Sequence, residues 1–270
     1  MTIDILICTI NEGIDKVPFV LMPPMEGVRY VICMQYTDEK ALDKVPMKVM
    51  TRKDVKLYIH ESKGLSRNRN FAFDWTEADI TVIADDDNRY LPEYIEHIRN
   101  TYTKHPEAEI VCFAAESYDG KPMKKYPQQQ MTYAEAVECG YYPTSMEMTM
   151  RTECIKKYGL RFNENFGLGS ELLCAGEEDV FMKDAVDKGL TTIFVPEVIV
   201  QSDPITTGLK FLGNKKLQLT KGATFRYLYG RNNAIWRTAK EAAWWMLHKG
   251  ANPIPIIINM MNGIRLKVKG

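Results

Sequence analysis

The sequence has no excess of charge of either sign and no long apolar stretch. Lysine and arginine together number 35, as do aspartate and glutamate, so the formal net charge is zero. Proteins that bind nucleic acid need surplus basic groups to neutralise phosphates, so this balance argues against a nucleic-acid partner. No run reaches the roughly 20 apolar residues of a membrane-spanning helix, so none is predicted.

Cysteine and histidine are few and scattered, which disfavours a zinc site or a disulfide framework. The chain has six cysteines with no CxxC pair, and its four histidines are dispersed. Cys8, Cys33 and Cys112 lie in apolar runs, as is typical of reduced thiols in a core. Residues 1–8 lack a basic leader and are expected to form a first strand and not a signal peptide. A cytoplasmic location is therefore expected.

Short apolar runs alternate with helical patterns through the first half of the chain. Helices are predicted over 66–76 and from Pro92 onwards, where a proline suits the first turn. Strands alternating with helices at this spacing are typical of a largely parallel α/β sheet. The predicted strands cover 3–8, 28–34, 55–59, 80–84 and 110–115.

The second half is less regular. Thr132 and Glu135 form a capping-box pattern that opens a short helix. Pro196 interrupts the predicted strand 193–200, which indicates an edge or a bulge. The remaining expectations are a strand over 144–150, a helix over 151–158, a helix after Gly176, a long helix over 232–248 and an apolar, basic tail.

Three adjacent carboxylates, Asp85, Asp86 and Asp87, directly follow the predicted strand 80–84. Ligands of open α/β sheets bind at the carboxyl ends of the strands. Like charges crowded there raise one another's pKa, and a divalent cation would offset the repulsion. Hard carboxylate oxygens suit Mg²⁺ or Mn²⁺, and strand alternation directs Asp85 and Asp87 to one side. The pattern indicates a metal site, although a solvated acidic loop before the next helix explains it equally well.

A second group of candidates lies in residues 64–70, where a helix follows a strand. Ser66 is expected to cap this helix, and Arg67 and Arg69 carry guanidinium groups suited to a diphosphate. Surface arginines beside a capping serine are the alternative interpretation. No P-loop or GxGxxG signature occurs, which argues against an ATPase or a nicotinamide-dependent enzyme.

The third candidate is the acidic run Glu177, Glu178 and Asp179, which follows the glycine-rich segment 162–176. Acidic residues in a first helical turn complement the helix dipole, which accounts for them without a function. The functional interpretation is that Asp179 acts as a general base.

In this order and at these separations, the three motifs resemble those of the inverting family 2 glycosyltransferases of the GT-A fold, over roughly residues 1–205. The resemblance implies a Rossmann-like, mostly parallel mixed sheet flanked by helices. The long helix predicted beyond it indicates a C-terminal helical extension over 206–270. It also implies transfer of a sugar from a nucleotide-diphosphate donor, most simply a UDP-sugar, to a hydroxyl of a saccharide or glycolipid acceptor. A role in polysaccharide or glycolipid biosynthesis follows as an expectation.

The same resemblance implies roles for individual residues. Asp179 is the expected catalytic base, and Asp87 with Asp85 is expected to hold Mn²⁺ or Mg²⁺. The acceptor is expected to contact Phe166, Gly167 and Glu178. The residues expected to bind the nucleotide sugar are Thr9, Asn11, Glu12, Arg69, Asp85 and Asp86.

The chain departs from the family pattern just after the second strand. An acidic residue usually recognises the base there, whereas this chain has Gln35, so Glu12, Gln35 or Asp38 is expected to take that role. Two other functions remain open. One is a non-catalytic module that binds a nucleotide sugar or Ca²⁺. The other is a sugar-phosphate nucleotidyltransferase, which needs a glycine-rich loop after the first strand, where this chain has only Gly13.

The apolar and basic tail admits three interpretations. It is expected either to pack on the catalytic domain, to form a homodimer contact, or to touch the inner face of a membrane beside a lipid-linked acceptor. Packing or dimerisation is the preferred interpretation.

Overall fold

The computed structural model describes residues 1–203, 211–266 and 268. Within them, eight strands form one mixed sheet in the order β3-β2-β1-β4-β7-β5-β8-β6. The strands are β1 Ile3–Ile10, β2 Val28–Tyr36, β3 Val55–Glu61, β4 Ile80–Asp85, β5 Ile110–Ser117, β6 Met131–Thr132, β7 Met148–Arg151 and β8 Thr192–Ser202. The predicted α/β fold with a mixed sheet is confirmed.

The central strands are apolar because the sheet buries them on both faces. β1 pairs in parallel with β2 and with β4, and β2 pairs in parallel with β3. Seven of the eight residues of β1 are buried, which explains why all but Asp4 and Thr9 are apolar. The five strands predicted in the first half all form, each one to two residues longer than predicted.

The described helices flank or follow these strands. α4 begins with Pro92, and Thr132 and Glu135 form both hydrogen bonds of the capping box of α5, as predicted. Short 3-10 helices cover Asn11–Asp15, Glu39–Lys44 and Ser145–Glu147. The α-helices are α1 Val17–Val20, α2 Met47–Thr51, α3 Leu65–Phe73, α4 Pro92–Lys104, α5 Tyr133–Glu138, α6 Thr152–Lys157, α7 Glu177–Asp187, α8 Lys215–Lys249 and α9 Pro253–Arg265.

One predicted strand is partly wrong. The segment predicted as a strand over 144–150 begins with the 3-10 helix Ser145–Glu147, and β7 follows it. β7 is antiparallel and lies between β4 and β5, which makes the sheet mixed. The helical turn forms because the carboxylate of Glu147 accepts a hydrogen bond from the amide of Thr144. Alternation of apolar and polar residues does not report such a local capping contact.

Pro196 lies at an irregularity of β8, as the sequence predicted. The register between β5 and β8 shifts from Cys112 opposite Phe194 to Ala114 opposite Val198, so the residues around Pro196 have no partner on β5. Because proline lacks an amide hydrogen, a bulge accommodates it without losing a ladder hydrogen bond.

The C-terminal region forms two helices that pack closely. α8 contains a break at Gly230, whose φ of 74° is a left-handed conformation that favours glycine. A Cβ on Gly222 of α8 would lie 2.0 Å from the carbonyl oxygen of Met260 in α9, and one on Gly263 would lie 1.9 Å from that of Leu219. The two glycines therefore permit direct backbone contact. The tail predicted as apolar and basic is helix α9.

The described residues divide into two compact units, and each is treated by itself. The first contains Met1–Lys63, Asn68–Arg161 and 184–203, and the second contains Gly64–Arg67, Phe162–Lys183, 211–266 and 268. The domain boundary predicted at residue 205 and the basic tail residues Lys267 and Lys269 lie outside the described residues. In the described part of the chain, no helix is long and apolar enough to cross a bilayer.

Candidate active site

Asp85 is the last residue of β4, at the carboxyl edge of the sheet. A buried arginine compensates the charge of its carboxylate. Arg69 of α3 is only 1% exposed and donates from Nη2 to Asp85 Oδ1 at 3.2 Å. Ser145 Oγ lies 3.3 Å from Asp85 Oδ2, and the Asp85 amide donates to Asn88 Oδ1 at 2.8 Å. The buried guanidinium and these contacts fix the orientation of the Asp85 carboxylate.

Asp86 is directed towards the end of β1. Its Oδ2 accepts a hydrogen bond of 2.6 Å from Thr9 Oγ1, and Lys16 Nζ lies 3.9 Å from its Oδ1. Burial raises the pKa of Asp86, while the bond from Thr9 and the charge of Lys16 oppose that rise. A Cβ on Gly13 would lie 2.4 Å from Asp86 Oδ2, so only glycine leaves room for this carboxylate.

Asp87 lies among other carboxylates. Its pKa is raised first by burial and then by the negative charge of Asp85, with a smaller contribution from Asp203. Tyr118 donates a hydrogen bond from its hydroxyl to the Asp87 carbonyl oxygen. The predicted metal ligands Asp85 and Asp87 therefore influence each other electrostatically, as the sequence suggested.

A cavity of about 420 Å³ opens beside these carboxylates. The residues that line the cavity include two anions, two cations and two aromatic residues. One of the aromatic residues, Phe19, is 86% exposed to solvent. The volume lies within the range of small-molecule sites. The lining residues are Lys16, Phe19, Asp86, Asp87, Asn88, Arg89 and Tyr118.

The carboxylates fit a divalent cation by their chemistry, because hard oxygen ligands are those that Mg²⁺ and Mn²⁺ prefer. Among the residues that the structure describes, no group of three acidic, histidine or cysteine side chains converges into a complete metal site. Mg²⁺ is commonly held by only one or two carboxylates together with substrate phosphates. Burial and then the negative charge of Asp85 raise the pKa of Asp87, and such a cation would relieve the repulsion between the two carboxylates.

The segment after β1 is held by its own contacts. Asn11 has a φ of 48°, and its side chain donates to Thr37 Oγ1 at 3.0 Å and accepts from the Thr37 amide at 2.9 Å. Glu12 is exposed and lies 3.2 Å from Lys44 Nζ. The pKa of Glu12 is lowered, first by a backbone hydrogen bond and then by Lys44. Thr9, Asn11 and Glu12 therefore all occupy the carboxyl end of β1 or the turn beyond it.

The candidates for base recognition occupy different surroundings. Gln35 is 2% exposed and donates from Nε2 to Ser62 Oγ at 2.7 Å. Asp38 is exposed and caps the 3-10 helix Glu39–Lys44 by accepting from the Lys40 amide. Gln35 therefore contributes to the core, whereas Asp38 and Glu12 lie at the surface.

Asn68 connects α3 to the sheet. Its Nδ2 donates to the carbonyl oxygens of Thr9 at 3.2 Å and of Cys33 at 2.9 Å. His60 Nε2 lies 3.1 Å from its Oδ1. The amide side chain thus holds the ends of β1 and β2 at a fixed distance from the helix that carries Arg69.

In the second unit, the predicted acceptor loop packs on the first turn of α3. Ser66 was expected to cap this helix, but it is the second helical residue, and its Oγ donates to the Phe166 carbonyl oxygen at 2.6 Å. The amide of Leu65 donates to the carbonyl oxygen of Leu168 at 2.9 Å. Arg67 pairs with Glu164 at 2.9 Å on the exposed side. The capping prediction was wrong because a tertiary partner takes the hydroxyl.

The acidic run at the start of α7 presents two different environments. Glu177 is 5% exposed and lies against Gly167, where an added Cβ would be 3.1 Å from its Cδ. Glu178 and Asp179 are half-buried in the same helical turn. Phe166 is fully buried, so its ring belongs to the core, whereas Gly167 has a φ of 106° that only glycine adopts readily.

Besides Arg89, which closely follows the acidic motif, four residues at the site were not identified from the sequence. Lys16, Phe19, Ser145 and Tyr118 come to the three aspartates from segments far away in the chain. Lys16 and Phe19 lie just beyond the Thr9–Glu12 segment, which was the only sequence signal for them. Ser145 and Tyr118 carried none.

Comparisons with known proteins agree with the fold and the motifs. The sequence profile described as Glycosyl transferase family 2 matches residues 36–172, half of the chain. No curated protein sequence matches at a significant level.

Among solved structures, S. aureus TarS residues 1–349 share the fold with a TM-score of 0.62 at 13% identity, over 98% of this chain and 90% of TarS 1–349. The complex of TarS 1–349 with UDP-GlcNAc gives a TM-score of 0.61 at 14% identity, over 96% and 79%.

A longer TarS structure gives a TM-score of 0.56 at 14% identity over 93% of this chain, and this chain spans only 44% of it. The structural likeness confirms the GT-A type of fold. The profile match confirms the family and the expected enzyme class, since the chain belongs to glycosyl transferase family 2, a family of glycosyltransferases.

Proposed function

We propose that this chain transfers a sugar from a nucleotide-diphosphate donor to an acceptor hydroxyl with inversion, and that a divalent metal ion assists the reaction. The observation that carries the proposal is the cavity lined by Asp86, Asp87 and Lys16 at the carboxyl end of β4, in a chain of this family. S. aureus TarS has been solved with UDP-GlcNAc and with UDP, which supports a uridine donor.

The donor end of the reaction rests on groups of the first unit. Asp85 and Asp87 would hold Mg²⁺ or Mn²⁺, which when bound neutralises charge that develops on the leaving diphosphate. Lys16, with its side chain 60% exposed beside Asp86, supplies a mobile cation for the same phosphates. Arg69 is buried, so it acts on the donor through Asp85 and does not reach the solvent itself.

Nucleotide contacts are proposed for the end of β1. Thr9 orients Asp86, and Asn11 holds the turn that presents Glu12 at the surface. Glu12 and Asp38 are the exposed candidates for the base, because Gln35 is buried and bonded to Ser62.

The acceptor end is proposed for Asp179, with Glu178 and Gly167 as acceptor contacts. The Asp179 carboxylate takes the proton of the acceptor hydroxyl, whose oxygen forms a bond to the anomeric carbon. The bond from that carbon to the diphosphate oxygen breaks at the same time, and the electron pair leaves with the diphosphate. A single displacement of this kind inverts the anomeric configuration and needs no covalent enzyme intermediate.

The test of the base is Asp179→Asn. General-base catalysis contributes about 100-fold to 10,000-fold, so transfer should fall by at least about 100-fold. The thermal shift produced by UDP with Mn²⁺ should remain. The control is Asp187→Asn at the exposed end of α7, which makes the same chemical change and should transfer at the wild-type rate. Unchanged transfer by Asp179→Asn would refute this assignment.

The test of the metal site is Asp87→Ala. The variant should lose the additional stabilisation that Mn²⁺ gives in the presence of UDP, as measured by thermal shift. Asp43→Ala, an exposed change in the 3-10 helix Glu39–Lys44, should retain it. A normal titration of UDP and Mn²⁺ into Asp87→Ala would contradict the assignment.

The acceptor class and the surroundings of the enzyme are proposed more generally. A saccharide or glycolipid acceptor follows from the family resemblance, and a cytoplasmic location is proposed from the free cysteines. Contact of the C-terminal helices with a membrane or with a second copy of the chain stays a prediction. A panel of UDP-sugars, assayed for release of UDP with and without Mn²⁺, identifies the donor.

A further inference from the structure

A second cavity, of about 550 Å³, lies in the C-terminal helices and is larger than the one beside the aspartates. Arg226 and Arg231 of α8 and Arg265 of α9 are among the residues that line it. Ile264, Leu266 and Val268 supply apolar walls. None of these residues belongs to the motifs that define the family.

The break in α8 explains why this surface is concave. Gly230 has non-helical angles, so Arg226 lies before the break and Arg231 immediately after it. Gly222 and Gly263 bring α8 and α9 into backbone contact. A bent helix held this closely to its neighbour leaves a hollow at the bend, and the end of α9 closes one side.

Among the described residues, the three arginines of the cavity form no ion pair with a carboxylate. Over the parts of the chain that the structure describes, no carboxylate lies within 4 Å of Arg226, Arg231 or Arg265. Residues 211–266 carry nine basic side chains and one acidic side chain, Glu241, in a chain whose net charge is zero. Glu241 pairs with Lys221 at 2.8 Å. The charge balance of the whole sequence thus conceals a strongly basic region.

Three guanidinium groups around one cavity repel each other, and a bound anion relieves that repulsion. The planar fork of arginine matches the oxygens of a phosphate and donates two parallel hydrogen bonds to it. The apolar walls gain nothing from a fully hydrated ion, but they bury an apolar group attached to the phosphate. The volume suits a ligand of moderate size.

We propose that this cavity binds a phosphate monoester or diester that carries an apolar group, with the phosphate on the three arginines and the apolar group on Ile264, Leu266 and Val268. The site binds its ligand whether or not the chain transfers sugar, so the proposal does not depend on the proposed function. Two sources supply this chemistry, a soluble phosphate ester and the headgroup of an anionic lipid.

The first experiment is calorimetric titration of the full chain with hexyl phosphate and with inorganic phosphate. Hexyl phosphate should bind at least about 10-fold more tightly, because several methylene groups leave water. Each of Arg226→Gln, Arg231→Gln and Arg265→Gln should weaken binding of hexyl phosphate by about 10-fold or more, the value of a lost charged hydrogen bond. The triple variant should show no binding.

The control is the triple variant Lys215→Gln, Lys240→Gln and Lys249→Gln. These lysines are exposed on α8 and do not line the cavity. The control variant therefore loses as many positive charges as the triple arginine variant. It should bind hexyl phosphate within about two-fold of wild type. Equal losses in the two triple variants, or equal affinity for the two phosphates, would overturn the proposal. The single arginine variants maintain the test if the triple arginine variant does not fold.

A vesicle assay separates the two sources. Vesicles of phosphatidylcholine with phosphatidic acid should sediment the wild-type chain, but not the triple arginine variant, if a lipid headgroup is the ligand. Binding of hexyl phosphate without sedimentation assigns the site to a soluble ester. The shift produced by UDP with Mn²⁺ should be the same in all these variants, so failure here is distinct from failure at the donor site.

Discussion

The buried ion pair between Lys124 and Glu147 gives a specific prediction about the free energy of unfolding. Lys124 Nζ lies 2.8 Å from Glu147 Oε2, with their side chains 8% and 0% exposed. Tyr126 and Tyr141 donate to the same carboxylate at 2.6 and 2.8 Å. Because Glu147 ends the 3-10 turn that begins with Ser145, the pair also positions the hydroxyl that contacts Asp85. The perturbation is Lys124→Met, which removes the charge and leaves an unbranched apolar side chain one atom shorter.

The expected cost follows from the surroundings of Glu147. Removing one partner of a buried pair leaves an uncompensated charge and costs about 3–5 kcal/mol. The two tyrosine hydroxyls and the Thr144 amide still donate to the carboxylate, so we expect the lower end, about 3 kcal/mol. At about 2–4 °C per kcal/mol for a unit of this size, the midpoint of unfolding should fall by about 6–12 °C.

The assay is thermal unfolding followed by far-ultraviolet circular dichroism. The matched control is Lys121→Met, because Lys121 pairs with Asp119 at 2.6 Å in the same connection but is 79% exposed. Solvent screens such a pair, so this variant should unfold at the wild-type temperature. The double variant Lys124→Met/Glu147→Gln should be less destabilised than the sum of the two single variants.

A result in which Lys124→Met lowers the midpoint no further than Lys121→Met would refute the reasoning. Strict additivity of Lys124→Met and Glu147→Gln would do the same, because it would mean that the two side chains do not interact.

Two other predictions concern glycines. Gly222→Ala places a methyl group 2.0 Å from the Met260 carbonyl oxygen, so α8 and α9 must separate. The free energy of unfolding should fall by about 1–3 kcal/mol, as measured by thermal unfolding. An unchanged midpoint would contradict the close packing. Gly13→Ala places a methyl group 2.4 Å from both Asp86 Oδ2 and Thr9 Oγ1. The thermal shift produced by UDP with Mn²⁺ should therefore become smaller. A shift equal to that of wild type would show that Asp86 need not keep this position.

Most of the sheet was predictable from local pattern. Apolar runs identified the five strands of the first half because burial on both faces demands a continuous apolar segment. The same argument placed the three aspartates at the carboxyl end of β4. The prediction failed over 144–150, where the capping contact of Glu147 decides the local conformation.

The site itself was only half visible in the sequence. The acidic and arginine motifs are runs of neighbouring residues, so they could be recognised in the sequence. Ser145 lies 60 residues from Asp85 in the chain, and Thr9 lies 77 from Asp86, so their pairing depends on how strands and turns assemble. A net charge of zero likewise revealed nothing of the basic C-terminal helices.

The sequence by itself therefore determined the alternation of strands and helices, the family motifs and the strand end at which they lie, because burial and turn chemistry act between neighbouring residues. The tertiary structure alone decided that β7 inserts antiparallel between β4 and β5, and that Arg69 lies buried under Asp85. It alone also decided that two arginines of α8 and one of α9 line one cavity. These features depend on contacts between distant segments, which no local pattern encodes.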